Sequence, residues 1–405
     1  MITTESASLS KTCIYCGESN PFTNEHVFPA GLGGDDKKFL LKGLVCGKCN
    51  TGVFSTLELE LMRNSPYGLA RLYMQPTGRG KGSKAKPPVL NVDSCEMIDP
   101  LTGEISEAEM TVGGVPIVLP QVQISGAAFR LCGSDDNRLT HFLAGLTPLM
   151  SETLNVITKV QTEGKSQYEV AELCWTLDAY QLKSTSRALK PPVGIWLARL
   201  RDQDDQAPSW PRLFQKSQGQ YVLRVAGESD AARLLTQLRK TLPKMVASDM
   251  PDPTAIERPS ISVSMAMTPQ NFFRALAKIG VNLSCYEYGD QAIRAPSFDR
   301  IRSIILNASE VVPLTHVPEV EKIFDMDKRP VHVAILFPMT LSGSGIALVF
   351  SIRLYGGTVQ ALRLAEDVRL SADSSPVVFI VHYLENRIER LSIESYIRCL
   401  LKSTR

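Results

Sequence analysis

The stretch CIYCGESNPFTNEHVFPAGLGGDDKKFLLKGLVCGKCNTG, Cys13 to Gly52, sets two Cys-x2-Cys pairs around a single Glu-His dipeptide. Cys13, Cys16, Cys46 and Cys49 supply four soft thiolates, and each pair can grip one side of a tetrahedral zinc ion while the chain from Gly17 to Val45 loops out between them. Both pairs carry the glycine of a knuckle turn, in CIYCG and CGKCN. The spacing predicts one structural zinc. Inside the loop, Glu25 places a hard oxygen beside the titratable ring of His26, and Asn50 follows the last cysteine where an exit helix begins. A carboxylate next to an imidazole suits metal-assisted hydrolysis of a phosphodiester.

Working outward, Val53, Phe54, Leu57 and Leu61 recur at helical spacing while Glu58 and Glu60 point away from that stripe, so a helix leaves the second knuckle and ends near Asn64 to Pro66. QPTGRGKGSKAKPP follows as a flexible linker. Its cations Arg79, Lys81, Lys84 and Lys86 are candidates for lying along a phosphate backbone, with affinity gained through counterion release. The region from about Val89 to Pro251 mixes β-rich runs (VPIVLPQVQI, GQYVLRVAG) with a helix capped by Ser229. A second linker, SDMPDPTAIERP, leads to a helix with Thr268 as cap and Pro269 at its first position, and the tail turns to strands such as VHVAILF and PVVFIVHYL. The reading is α+β, with helices packed on an antiparallel sheet.

Composition narrows the classes. A chain of 405 residues with 44% hydrophobic content buries a sizeable core, and a net charge of +2 means that any nucleic-acid affinity comes from local patches. The N-terminus MITTESASLSK lacks the basic and apolar regions of a secretory signal, and the longest apolar runs fall short of the ~18 residues of a membrane span, so a cytoplasmic protein with no membrane partner is expected. The remaining cysteines, Cys95, Cys132, Cys174, Cys285 and Cys399, read as small buried hydrophobes. His141, His316, His332 and His382 have no Cys or carboxylate at ligand spacing and read as structural residues.

The order Cys-x2-Cys, Glu-His-x-x-Pro, Leu-Gly-Gly, Cys-x2-Cys-Asn resembles the HNH endonucleases, the ββα-metal class, in the branch fastened by a zinc knot. Residues 13 to about 61 carry the match, and FFRALAKIGVNL and FDRIRSIILNAS bear a fainter likeness to the C-terminal regions of such proteins. The resemblance implies a small N-terminal zinc-stabilised ββα-metal (HNH) module followed by a larger mixed α+β region. In residues, that is a module over 1–75, a basic linker over 76–90, a β-rich region over 91–250 and a C-terminal region over 251–405. It further implies that His26 is the general base, that Glu25 and Asn50 bind a catalytic Mg²⁺ or Mn²⁺, and that Gly33 and Gly34 turn the chain between two short strands. It also implies that the zinc is structural and that the partner is DNA, and a homodimer is compatible with it. Glu25 stands where Asp is commoner, and KKFLLKGLVC holds no middle Asn. A noncatalytic zinc-stabilised module that binds nucleic acid or protein is the alternative. Removal of one zinc ligand is expected to unfold residues 13–61 locally.

Overall fold

The first elements after the N-terminus are two strands and a helix. Phe22–His26 (β1) pairs antiparallel with Leu40–Cys46 (β2), with Glu25 opposite Leu41, His26 opposite Leu40, and an irregularity at Asn24. Between the strands, Gly33 adopts φ +83, and a Cβ there would lie 2.3 Å from the Cα of Tyr383. Only glycine fits, and the Gly33–Gly34 turn forms where the sequence placed it. Past Cys49 the chain winds as a widened turn over Lys48–Phe54, in which the Ser55 N–H reaches five residues back to the Asn50 carbonyl. Helix α1 (Ser55–Arg63) continues it. Helix α2 (Pro66–Met74) starts with proline at its first position, and the Ser65 hydroxyl accepts from the Tyr67 N–H at 3.2 Å.

This computed structural model describes residues 12–75, 88–126, 128–162, 165–200, 210–248, 256–340, 345–369 and 374–403. Arg79, Lys81, Lys84 and Lys86 lie outside the described residues. The chain divides into two units, one formed by 1–92 together with 265–405, the other by 93–264.

In the first unit the long helix Pro269–Tyr288, called the central helix below, packs on a six-stranded antiparallel sheet. Its strands in spatial order are Leu314–Thr315, Gln360–Ala365, Ile346–Arg353, His332–Thr340, Val377–His382 and Arg387–Ser392. Alternation explains its composition. Leu336, Phe350, Leu362 and Phe379 meet the central helix and the zinc segment, whereas Val333, Ile335, Val349 and Ile380 meet the helices Pro318–Met326 and Ile393–Ser403 through Phe324, Tyr396 and Leu400. Covered on both faces, the central strands read as unbroken apolar runs. Gly280 lets the helix sit close, since a Cβ there would come 2.7 Å from the Phe350 ring.

The N-terminal segment is not a separate body from this C-terminal layer. Cys13, Phe28, Phe54 and Leu57 belong to the same buried cluster as Leu276, Ile279, Phe350 and Phe379. Polar ties add to it: Arg302 donates to the Ile14 carbonyl at 2.8 Å, and the Ile388 N–H donates to Asp36 at 3.1 Å. Residues 1–92 and 265–405, which the sequence reading divided between a module over 1–75 and a C-terminal region over 251–405, therefore belong to one unit, because so short an N-terminal segment exposes more apolar surface than it can cover by itself.

The second unit carries an eight-stranded sheet in which Ile195–Arg199 runs parallel to both of its neighbours and the other pairs are antiparallel. Helices Asp136–Leu149 and Asp230–Ala247 cover it through Phe142, Leu146, Leu235 and Leu238. A four-stranded antiparallel sheet supplies Glu96 and Glu107, which pair in the interior with Arg212, while Arg224 also holds Glu107 at 2.6 Å. Two helix starts fall where expected, but neither Ser229 nor Thr268 caps through its side chain. The Thr268 N–H is taken by the Glu60 carboxylate instead. Among the described residues no helix is long and apolar enough to cross a membrane.

Candidate functional site

The two knuckles bring their sulfurs together. Cys13, Cys16, Cys46 and Cys49 place their four Sγ atoms within 4.8 Å of one another, with Cys13 to Cys49 at 4.0 Å and Cys16 to Cys46 at 3.7 Å. A tetrahedral zinc with Zn–S bonds of ~2.3 Å sets its sulfurs about 3.8 Å apart, so the cluster has the size and the chemistry for that ion. The Cys46 N–H points at the Cys13 sulfur at 3.5 Å, as suits a thiolate ligand. The Cys13 thiol is lowered to about 4, first by its hydrogen bond with Cys49, while the Cys49 thiol is raised by the same contact.

Glu25 and His26 are consecutive on β1 and face different surroundings. Glu25 is buried, and its Oε1 accepts from the Lys278 ammonium and from the Asn282 amide, the latter at 2.9 Å. Lys278 is fully buried as well; its ammonium also donates to Glu58 at 2.6 Å and lies 5.2 Å from the centre of the Phe54 ring. Burial works against that ammonium, but the Glu25 and Glu58 carboxylates outweigh it and raise its pKa. Asn282, one turn further along the central helix, donates also to the His26 carbonyl at 3.0 Å, and its oxygen accepts from the Tyr15 hydroxyl at 2.6 Å. Glu58 and Glu60, read from the sequence only as lying off the apolar stripe, face the central helix, where they meet Lys278 and Thr268. Glu60 is buried and Glu58 half-buried against the central helix beside these donors, and a buried carboxylate is tolerable only when paired.

His26 stands at the rim. Its side chain is 21% exposed, and Nε2 lies 3.7 Å from Oδ1 of Asp35, which is 39% exposed. That separation is long for a direct hydrogen bond. Nδ1 is buried without a hydrogen-bond partner. Asn50 reaches back to β1 with its amide nitrogen, which donates to the Thr23 hydroxyl at 3.0 Å and the Asn24 carbonyl at 3.2 Å. It thereby holds the irregular stretch of β1 that turns Glu25 inward.

The three expected catalytic residues thus share one strand and its neighbouring turn, but the Glu25 carboxylate and the Asn50 side chain are each engaged with other groups. Four participants were not singled out from the sequence: Asp35, Tyr15, Lys278 and Asn282. The signal for the last two was present in RALAKIGVNLSC, where a lysine and an asparagine one turn apart interrupt an otherwise apolar helix. Of the other histidines, His332 is buried against Phe28, Tyr355 and Tyr383 and accepts from the Tyr355 N–H at 3.1 Å, and His382 lies 3.3 Å from Glu389.

No protein-family model, no curated protein and no solved structure matches this chain.

Proposed function

We propose that the zinc-fastened segment is an HNH-type ββα nuclease module and that the chain hydrolyses phosphodiester bonds in DNA, with His26 as the general base. The observation that carries this reading is the position of His26 at the end of β1, partly exposed and 3.7 Å from the carboxylate of Asp35. In the hydrolytic step, His26 takes a proton from the attacking water as its oxygen bonds to phosphorus, the P–O bond opposite breaks, and the leaving oxygen gains a proton from solvent. Asp35 stabilises the imidazolium so formed. Zinc at Cys13, Cys16, Cys46 and Cys49 would fasten the end of β2 to the knuckle before β1 and so hold the strand that bears His26.

A catalytic Mg²⁺ or Mn²⁺ at Glu25 and Asn50 does not fit the donor set. Glu25 Oε1 is shared by an ammonium and an amide, and Asn50 turns its amide nitrogen to Thr23 and Asn24. The proposed step therefore uses no ion at Glu25 and Asn50. The same pairing of Glu25 favours a second reading, a noncatalytic zinc-stabilised module that binds nucleic acid. Incubation of the zinc-loaded protein with supercoiled plasmid separates the two: nicked or linear product supports the nuclease, and retarded but intact plasmid supports the binding module.

A further inference from the structure

The buried cation beside β1 comes from the chain itself. Lys278 enters from the central helix, more than two hundred residues away in sequence, and its ammonium is enclosed by the Glu25 carboxylate, the Glu58 carboxylate and the face of Phe54. Each contact is one that a cation makes. One turn on, Asn282 donates to both Glu25 and the His26 carbonyl, and Tyr15 fixes the direction of the amide by occupying its oxygen. A lysine with no exposed surface, ringed by two acids and an aromatic ring, neutralises a carboxylate that would otherwise be an unpaired buried charge.

We propose that Lys278 is the resident cation of the Glu25 site and, with Asn282, positions the β1 strand that carries His26, so that Glu25 takes no divalent metal while the central helix is in place. A second cation at Glu25 Oε1 would lie within a few ångströms of the ammonium in a poorly screened interior, and the repulsion exceeds what one carboxylate oxygen returns. The importance of positioning His26 rests on the proposed nuclease reading. The exclusion of metal from Glu25 does not, and it is tested by binding alone.

The experiment is a Mn²⁺ titration of the zinc-loaded full chain, followed by the electron paramagnetic resonance of free Mn²⁺, on wild type, Glu25→Gln, Lys278→Arg, Lys278→Met and the double variant Glu25→Gln with Lys278→Met. Wild type, Glu25→Gln and Lys278→Arg are expected to give the same isotherm. Lys278→Met should gain about one site per chain, at least about tenfold tighter than anything in wild type, and the added Glu25→Gln should remove it. A Mn²⁺ site in wild type that Glu25→Gln abolishes overturns the proposal, as does a folded Lys278→Met with an unchanged isotherm. If Lys278→Met does not fold, wild type against Glu25→Gln decides: coincident curves support the proposal and a Glu25-dependent site refutes it. A plasmid that is never cut under any condition contradicts the nuclease reading and leaves this binding result standing.

Discussion

The hydroxyl of Tyr15, between the first two zinc-knuckle cysteines, donates to the side-chain oxygen of Asn282 at 2.6 Å. This bond joins the start of the zinc segment to the middle of the central helix, and the hydrogens on the other end of the same amide go to Glu25 and to the His26 carbonyl. Three buried polar groups thus depend on one asparagine. Replacing it by alanine leaves all three without that partner, at ~1–3 kcal/mol for each group that finds no substitute. Asn282→Ala is expected to lower the stability of the first unit by about 3 kcal/mol, read as a shifted urea midpoint. A change under about 1 kcal/mol would show that water replaces the amide freely.

Zinc loss should spread further than the sequence led one to expect. Because Cys13, Cys46 and Cys49 lie in the cluster that includes Leu276 and Phe350, removing the ion loosens the face of the central helix as well as residues 13–61. Elemental analysis should find about one zinc per chain. In Cys46→Ser, amide hydrogen exchange should accelerate within Pro269–Tyr288 while protection in Asp230–Ala247 of the second unit is retained. Exchange confined to residues 13–61 would mean that the shared core holds without the metal.

His332 gives a signed dependence on pH. Burial lowers its pKa from 6.5 to about 3, so the folded state resists a proton that the unfolded chain accepts. The group's contribution is complete above pH 6.5 and declines as pH falls from there towards 3. At pH 5 the loss is about 2 kcal/mol. The stability difference between wild type and His332→Gln should therefore shrink by about that amount between pH 7 and pH 5. A constant difference across that interval would mean that the folded and unfolded chains take up this proton alike, and would contradict a burial-lowered imidazole.

The four linker cations make a separate claim about DNA. Exchanging Arg79, Lys81, Lys84 and Lys86 for alanine should reduce the slope of log affinity against log salt by about 3.6, since each phosphate contact contributes ~0.9 for duplex DNA. An unchanged slope would leave the linker as a solvated connection.

What could be read from the sequence follows from the range of the interaction. The zinc cluster, the turn at Gly33 and the start of the central helix after Thr268 each depend on residues close in the chain, and each formed as expected. The surroundings of Glu25 depend on Lys278 and Asn282, whose distance along the chain no local spacing encodes. Glu58 and Glu60 were read only as lying off the apolar stripe for the same reason, because their partners are donors on another helix. Helical periodicity identifies the apolar stripe of α1 but not a polar stripe that finds partners. Asp35 was visible in LGGDD, yet only the turn at Gly33 brings its carboxylate near the ring of His26.

The proposed chemistry turns on His26, and the most direct measurement is the initial rate of supercoiled-plasmid nicking by wild type and by His26→Ala at matched zinc content and matched DNA affinity. Loss of a general base costs about 10²- to 10⁴-fold in rate, and a fall in that range with both controls unchanged is expected. Nicking by His26→Ala within a factor of about 3 of wild type would contradict it, and would reduce the Glu-His pair to scaffold between the zinc cluster and the central helix.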